Sequence, residues 1–148
     1  MKLLLVATLV LAQAAAPPQA SHQPAPALQD DRFVRDLHDK DIDDVLTLYT
    51  PKAVFVNPDG TSSKGLEEIR KLYEQVTATY DSDLHLTTTN LRRTNNTIIE
   101  HGRFTETLRI RATGATQQSS GTYIFLHERQ SDGTWLIAMQ KWNTSPLH

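Results

Sequence analysis

The stretch DIDDVLTLYTPKAVFVNP, residues 41–58, joins a helical pattern directly to a strand pattern. Its first apolar residues recur at the i, i+3, i+4 and i+7 positions of one helical face, namely Ile42, Val45, Leu46 and Tyr49. Asp41 suits the N-cap of this helix, and Pro51 predicts its end. The next run, KAVFVN, reads as a short strand that ends at Asn57, before a proline and an Asp-Gly turn pair. The stretch therefore predicts a helix followed by a strand.

Two further helices and four further strands are predicted around this unit. DDRFVRDLH places Phe33 and Leu37 four residues apart on one helical face, and GLEEIRKLYEQV predicts a third helix after the turn. The remaining β-rich runs are LHLTTTNLRR, TIIEHGRFTETLRI, GTYIFLHERQ and TWLIAMQKWN. Helices followed by strands with mostly short connections predict an α+β domain with a chiefly antiparallel sheet.

This order of elements resembles the nuclear-transport-factor-2-like superfamily, which includes ketosteroid isomerase and the SnoaL-like polyketide cyclases. The resemblance covers residues 30–145 and is carried by DIDDVLTLYTPKAVFVNP, KGLEEIRKLY, IIEHGRF and DGTWLIAMQKWN. It implies a cone-shaped, barrel-like fold with three N-terminal helices packed in a strongly bent, mainly antiparallel mixed sheet. One end of the cone is expected to be open, with an apolar pocket inside. This fold carries enzymes, binding modules and assembly domains alike, so it does not by itself define an activity.

Asn57 departs from the pattern that this resemblance implies. By alignment on the step before a proline, it stands where ketosteroid isomerase carries its aspartate base. A side-chain amide is neutral across the working pH range and cannot accept and return a proton as a carboxylate does. Asn57 can only donate and accept hydrogen bonds, which disfavours a steroid-isomerase activity.

Glu100 is the candidate acid or base. In IIEHGRF it alternates with Gly102 and Phe104 on one strand face, and the branch that this chain resembles tends to have a glutamate two residues before that glycine. If this face lines the pocket, the low dielectric raises the proton affinity of the carboxylate. The alternative is a structural ion pair with a neighbouring arginine such as Arg92 or Arg109.

The side chains that could wall the pocket are mostly aromatic. The candidates for ligand binding are Tyr49, Phe55, Asn57, Tyr73, Phe104 and Trp142. Aromatic residues at such spacings also form ordinary cores, and this alternative stays open for each of them. The two tyrosines carry a hydroxyl group that needs a partner when buried, which favours them for orienting a polar group of a ligand.

The first 29 residues are predicted to precede the folded domain. MKLLLVATLVLAQA, residues 1–14, has one lysine, an apolar run and small residues at Ala12 and Ala14, as in a secretory signal peptide. The proline- and alanine-rich residues 15–29 predict a flexible linker. We therefore expect an exported protein, periplasmic or secreted, that does not associate with the membrane after cleavage near Ala14. The alternative is an uncleaved N-terminal anchor.

The composition argues against several function classes. A formal net charge of −2 without a basic cluster disfavours binding to nucleic acid or anionic lipid. No two histidines stand four apart on a helix, and no compact cluster of histidines and acids has ligand spacing, so we expect no metal. No glycine-rich phosphate loop or Ser-His-acid arrangement is visible, and we predict no cofactor. Because the chain has no cysteine, an ordinary hydrophobic core must hold the fold.

The last two strands are apolar on both faces, which predicts a sheet covered on both sides. In the last strand the two faces are expected to carry Trp135, Ile137 and Met139 and, opposite them, Leu136, Ala138 and Trp142. Three helices can cover one side of the sheet, and a second copy of the chain is the simplest cover for the other. We therefore expect a homodimer through the sheet face. A sheet that curls enough to shield itself is the alternative.

Three classes of function follow from these observations. The first is an exported, dimeric protein that holds a small apolar molecule in its pocket. The second is a cofactor-independent enzyme of the isomerase, cyclase or hydrolase type. In that enzyme Glu100 moves the proton, and Asn57 and a tyrosine hydroxyl hold the developing oxyanion. A third class is an assembly module that uses the sheet face.

Overall fold

The computed structural model describes residues 29–145, which form three helices and six strands. The predicted signal peptide and most of the predicted linker lie outside the described residues. In chain order the elements are α1 (Asp30–His38), α2 (Ile42–Leu46), β1 (Tyr49–Val56), β2 (Ser62–Lys64), α3 (Gly65–Thr79), β3 (Tyr80–Arg93), β4 (Thr97–Ile110), β5 (Thr116–Arg129) and β6 (Trp135–Thr144). Among these residues, no helix is long and apolar enough to cross a membrane.

The six strands form one curved, unclosed sheet in the order β2-β1-β6-β5-β4-β3. Every neighbouring pair is antiparallel except β1 and β6, which run parallel. The predicted α+β fold, with three helices packed against a bent and mainly antiparallel mixed sheet, is confirmed. β3, β4 and β5 are each 14 residues long, so they extend beyond the helices and can enclose a space beneath them.

The helices and the inner face of the sheet share one apolar core. Phe33 and Leu37 of α1, Ile69 and Tyr73 of α3, and inner-face side chains such as Phe125 belong to a single buried cluster. The predicted cap of α2 is present, because the Asp44 backbone N–H donates to Asp41 Oδ1 at 3.2 Å. Packing and capping together therefore fix the helices against one side of the sheet.

The boundary between α2 and β1 differs from the prediction. The helix ends at Leu46, and Tyr49 and Pro51 already belong to β1. Parallel pairing with β6 begins at Tyr49, opposite Ile137, so the tertiary context favours strand where the local spacing predicts helix. β2, a strand of three residues, was also not predicted.

A register shift in β6 overturns the predicted faces of that strand. Leu126 pairs with Met139, but the next residue, His127, pairs with Ile137, so Ala138 is the extra residue of a bulge. Ile137 is therefore on the inner face and Met139 on the outer face, although simple alternation places them together. Gln140 and Trp142 follow on the inner face as a result.

Candidate functional site

A cavity of about 280 Å³ lies between α1, α3 and the inner face of the sheet. Most of its lining is apolar and comes from six elements: Phe33 and Leu37 of α1, Phe55 of β1, Leu72, Tyr73 and Val76 of α3, Leu84 of β3, Phe104 and Leu108 of β4, and Trp142 of β6. Phe104 and Trp142 meet edge to face, with ring centroids 4.9 Å apart. A concave and mostly apolar space with a small number of polar groups is the usual form of a small-molecule site.

Glu106 is the carboxylate of this cavity. It lies on β4, two residues beyond Phe104 on the same face, and one of its oxygens accepts a hydrogen bond from the Ser82 hydroxyl at 2.6 Å. Burial raises the pKa of Glu106 above its ordinary value, and the hydrogen bond from Ser82 opposes this only in part. A carboxyl group with raised proton affinity in an apolar cavity can bind a polar group of a ligand or exchange a proton with it.

Five of the six predicted ligand-binding residues line the cavity, namely Phe55, Asn57, Tyr73, Phe104 and Trp142. Asn57 follows the end of β1 and is half-buried. Its Nδ2 donates to Thr61 Oγ1 at 3.0 Å, across the turn that its backbone forms with Gly60 and Thr61. One amide proton of Asn57 is thus committed to the turn, and its role toward a ligand stays a prediction.

Tyr49, the sixth candidate, does not line the cavity. Its hydroxyl is buried against the Tyr73 hydroxyl, at an O···O distance of 2.7 Å, and donates to Gln140 Oε1. Gln140 is fully buried, and its Nε2 is without a hydrogen-bond partner in the described part of the chain. Tyr49 therefore lies behind the cavity wall and can reach a ligand only through Tyr73.

Glu100 also lies outside the cavity, in a closed polar cluster. It is 0% exposed, and it accepts hydrogen bonds from the Tyr123 hydroxyl at 2.7 Å and the Thr88 hydroxyl at 2.8 Å. Its other oxygen lies 3.0 Å from His127 Nε2. The alternative of an ion pair with Arg92 or Arg109 is wrong, because the partner of Glu100 is a histidine on β5.

Glu100 was expected to have a raised proton affinity if its strand face lined the pocket, but it lies outside the cavity and its pKa is lowered. Burial alone raises its pKa, but hydrogen bonds from His127, Asp30, Tyr123 and Thr88 outweigh burial and hold the pKa at about 2. The opposite shift falls on Asp30, the first residue of α1. Burial, the hydrogen bond with Glu100 and the repulsion between the two groups raise the pKa of Asp30 to about 7. Between about pH 2 and pH 7 the two carboxyl groups therefore share one proton, which favours Asp30.

Gly102 makes this cluster possible. It is the β4 residue opposite Tyr123 of β5, and a Cβ atom at Gly102 would lie 2.2 Å from two ring carbons of the tyrosine. Because glycine leaves that space empty, the Tyr123 ring can lie across β4 and bring its hydroxyl to Glu100. The glycine in IIEHGRF thus serves the packing of the tyrosine.

The family model described as a SnoaL-like domain matches residues 31–136. The chain belongs to the SnoaL-like domain family. The comparison with curated proteins gives no match. Solved structures similar to this SnoaL-like domain include a ketosteroid isomerase-like protein from Erwinia carotovora atroseptica SCRI1043. It is 20% identical, has a TM-score of 0.72, and the alignment covers 79% of this chain and 92% of that one.

Two further structures represent the range of proteins with this fold. A nuclear transport factor 2 (NTF2-like) superfamily protein from Salmonella enterica serovar Typhimurium LT2 is 18% identical, with a TM-score of 0.72 and coverage of 80% of this chain and 87% of that one. A scytalone dehydratase-like protein from Novosphingobium aromaticivorans is 11% identical, with a TM-score of 0.73 and coverage of 80% of each chain. At these identities the likeness shows the fold alone.

Sequence reasoning on this SnoaL-like domain missed Glu106 and Asp30. Glu106 could have been predicted, because the alternation that links Glu100, Gly102 and Phe104 continues to Glu106 and places it on the same face. No pattern in the sequence marks Asp30 as part of a site. It looks like an ordinary acidic residue in the first turn of a helix, and only the packing of α1 brings it to Glu100.

Proposed function

We propose that this SnoaL-like domain binds a small, largely apolar molecule in the cavity between α1, α3 and the sheet. The observation that carries the proposal is the cavity itself, which is lined by aromatic and aliphatic side chains and, among residues 29–145, by one carboxylate, Glu106. Its volume of about 280 Å³ equals that of roughly nine water molecules at about 30 Å³ each. An apolar lining of this size favours a ligand with one ring and a short chain over water.

Filling the cavity tests this proposal. Val76 lines the cavity, and its neighbour Gln75 on the same helix is exposed, so Val76→Phe and Gln75→Phe form a matched pair. We expect a neutral probe such as 4-phenylbutan-2-one to change the fluorescence of Trp142, with binding lost in Val76→Phe and kept in Gln75→Phe. Equal binding by the two variants would place the probe outside the cavity and contradict the proposal.

A second candidate function is cofactor-independent proton transfer, which the raised pKa of Glu106 favours. Scytalone dehydratase-like and aromatic ring hydroxylase-like proteins are among the structural relatives, so enzymes are represented around this fold. In this reaction Glu106, in place of Glu100, removes a proton from the carbon beside a carbonyl group and returns it. Asn57 and a tyrosine hydroxyl donate hydrogen bonds to the enolate oxygen between the two steps.

Hydrogen–deuterium exchange tests the second candidate without knowledge of the natural substrate. The protons beside the carbonyl of 4-phenylbutan-2-one are followed by NMR in D₂O, with and without the protein. The proton-transfer function predicts faster exchange that is lost in Glu106→Gln. An unchanged exchange rate, measured under conditions in which the ketone is bound, counts against catalysis and leaves the binding function intact.

We further propose that the protein is a homodimer joined through the outer face of the sheet. Ile99, Leu126, Met139 and Val54 stand side by side on four neighbouring strands, and all four are half-buried. Such an apolar row on the side away from the helices supports an isologous contact with a second copy. Leu126→Glu is expected to give monomers by light scattering, while Thr122→Glu, an exposed position on the same strand face, stays dimeric.

Export is the last part of the proposal. Its support is the order of one lysine, an apolar run and the small residues Ala12 and Ala14 at the start of the chain. The full chain, expressed in a bacterium, is expected in the periplasm or medium with an intact mass that lacks residues 1–14. A cell-associated product of full-length mass would contradict the proposal and favour an uncleaved anchor.

A further inference from the structure

The carboxylate of Glu106 is the uncompensated charge of the cavity. It accepts one hydrogen bond, from the neutral Ser82 hydroxyl, and in residues 29–145 no lysine, arginine or histidine forms an ion pair with it. Burying a carboxylate without a cation is unfavourable, and the penalty falls when an opposite charge is placed beside it. The part of the cavity beside Glu106 therefore favours a positively charged group.

Asp81 and Glu100, two other carboxylates with low exposure or several charged neighbours, already have partners within the chain. Lys40, the one lysine or arginine in the lining as far as the structure describes it, reaches Asp81 at 2.5 Å. Asp81 also pairs with Arg109 and Arg111, and Glu100 has His127. Because Lys40 is committed to Asp81, the described part of the chain supplies no cation for Glu106.

The walls around Glu106 suit a cation as well. Phe104, Tyr73 and Trp142 line the same cavity, and Phe104 stands beside Glu106 on the same face of β4. The negative face of an aromatic ring attracts a cation within about 6 Å, most strongly where water is excluded. An ionised carboxylate is also an acceptor only, so its best ligand carries N–H or O–H donors.

We propose that the ligand of this cavity is a small apolar amine, bound as its protonated form with the ammonium group on Glu106 and the apolar body among the aromatic side chains. The inference rests on the proposed binding function and names the chemical class of its ligand. The hydroxyl of Ser82 keeps donating to Glu106 and holds the carboxylate in place, while the ammonium group donates to the free carboxylate oxygen. Charge-assisted pairs of this kind are roughly twice as strong as neutral hydrogen bonds.

Three ligands with one carbon skeleton test the proposal: 4-phenylbutan-2-amine, 4-phenylbutan-2-ol and 4-phenylbutan-2-one. Affinities are measured by isothermal titration calorimetry at pH 7.5, with the full chain as it is purified. We expect the amine to bind about tenfold more tightly than the alcohol, the difference between a charge-assisted and a neutral hydrogen bond. In Glu106→Gln the amine should lose this advantage, while the affinity of the alcohol stays within about twofold.

Glu74→Gln is the matched control. It removes the same charge from an exposed position on α3 outside the cavity, so it reports any long-range effect of net charge. Amine affinity should be unchanged in this variant. Circular dichroism is used to check that both variants are folded before their affinities are compared.

The outcomes separate this inference from the binding function on which it rests. Tighter binding of the alcohol or the ketone than of the amine refutes the amine proposal and leaves the cavity as a site for neutral molecules. Equal weakening of amine binding by Glu106→Gln and Glu74→Gln refutes it too, because the effect is then one of net charge. If none of the three ligands binds, the proposed function fails together with the inference.

Discussion

Replacing Asp30 by asparagine is expected to stabilise the protein above pH 7 and to leave its stability unchanged near pH 4. Asp30 lies against Glu100 at the point where α1 meets the sheet, and Thr88 Oγ1 lies 2.8 Å from Glu100 and 3.4 Å from Asp30. Two carboxyl groups so placed need a shared proton. Asparagine resembles the protonated acid in shape and can donate to Glu100 at every pH.

The direction and the size of the expected change in stability follow from the pKa of Asp30. This pKa is about 7 in the folded protein, against an ordinary value of 3.8. A folded-state pKa above the unfolded one gives stability that is complete below pH 3.8 and is lost as the pH rises through 7. At about 1.4 kcal/mol for each tenfold change in proton affinity, the loss has an upper limit of about 4 kcal/mol. Solvent screens this partly exposed carboxyl, so we expect about 1–2 kcal/mol.

Urea unfolding at pH 4, 6 and 8 measures this effect. The stability of wild type should fall across this range relative to Asp30→Asn, with a gap of about 1–2 kcal/mol at pH 8 that closes at pH 4. The pKa of Glu100, about 2, lies below this range, so Glu100 stays ionised in wild type at all three pH values. Asp31→Asn, at the exposed next residue of the same helical turn, is the control for net charge and the helix dipole. If Asp30→Asn follows wild type at all three pH values, the shared-proton account of this cluster is refuted.

Two further substitutions test how the inner face is packed. Gly102→Ala should destabilise the protein by about 1–3 kcal/mol in urea, because its Cβ would lie 2.2 Å from the Tyr123 ring; wild-type stability would show that the ring moves away freely. Tyr49→Phe should lower the free energy of unfolding by about 1–2 kcal/mol, because it removes the hydroxyl that is hydrogen-bonded to Tyr73 and Gln140. The affinity for a cavity ligand should stay within about twofold. A large loss of affinity in Tyr49→Phe would mean that this residue contacts the ligand after all.

The sequence predicts most of the fold because its strongest signals are local. The helical spacing after Asp41 and the long β-rich runs correspond to observed elements, and β4 has the predicted bounds Thr97–Ile110. The errors arise where partners distant in sequence decide the outcome. Tyr49 fits a helical stripe but pairs with β6, and the bulge at Ala138 reverses the face of Met139 without any glycine or proline to signal it.

The candidate site was less predictable because it depends on which end of a strand face meets the cavity. Alternation correctly groups Glu100 with Phe104, but it cannot say where along β4 the cavity begins. The wall residues Phe55, Tyr73 and Trp142 could be predicted from the sequence, because large aromatic side chains on inner faces must pack around any space that exists. The hydrogen-bond donors that satisfy Glu100 come from three other elements, and no local pattern predicts them.

The two inner carboxylates of β4 show how a structural acid differs from one that is open to a ligand. Glu100 and Glu106 share one strand face and are six residues apart, about 20 Å along an extended strand. Glu100 has donors from Thr88, Tyr123 and His127, so a ligand would have to displace bonds that the chain already makes. Glu106 has one donor and faces the cavity, so a ligand there adds bonds without removing any. Since a carboxylate with a single donor is costly beside an apolar cavity, the presence of Glu106 there is explained more simply by an external partner than by packing.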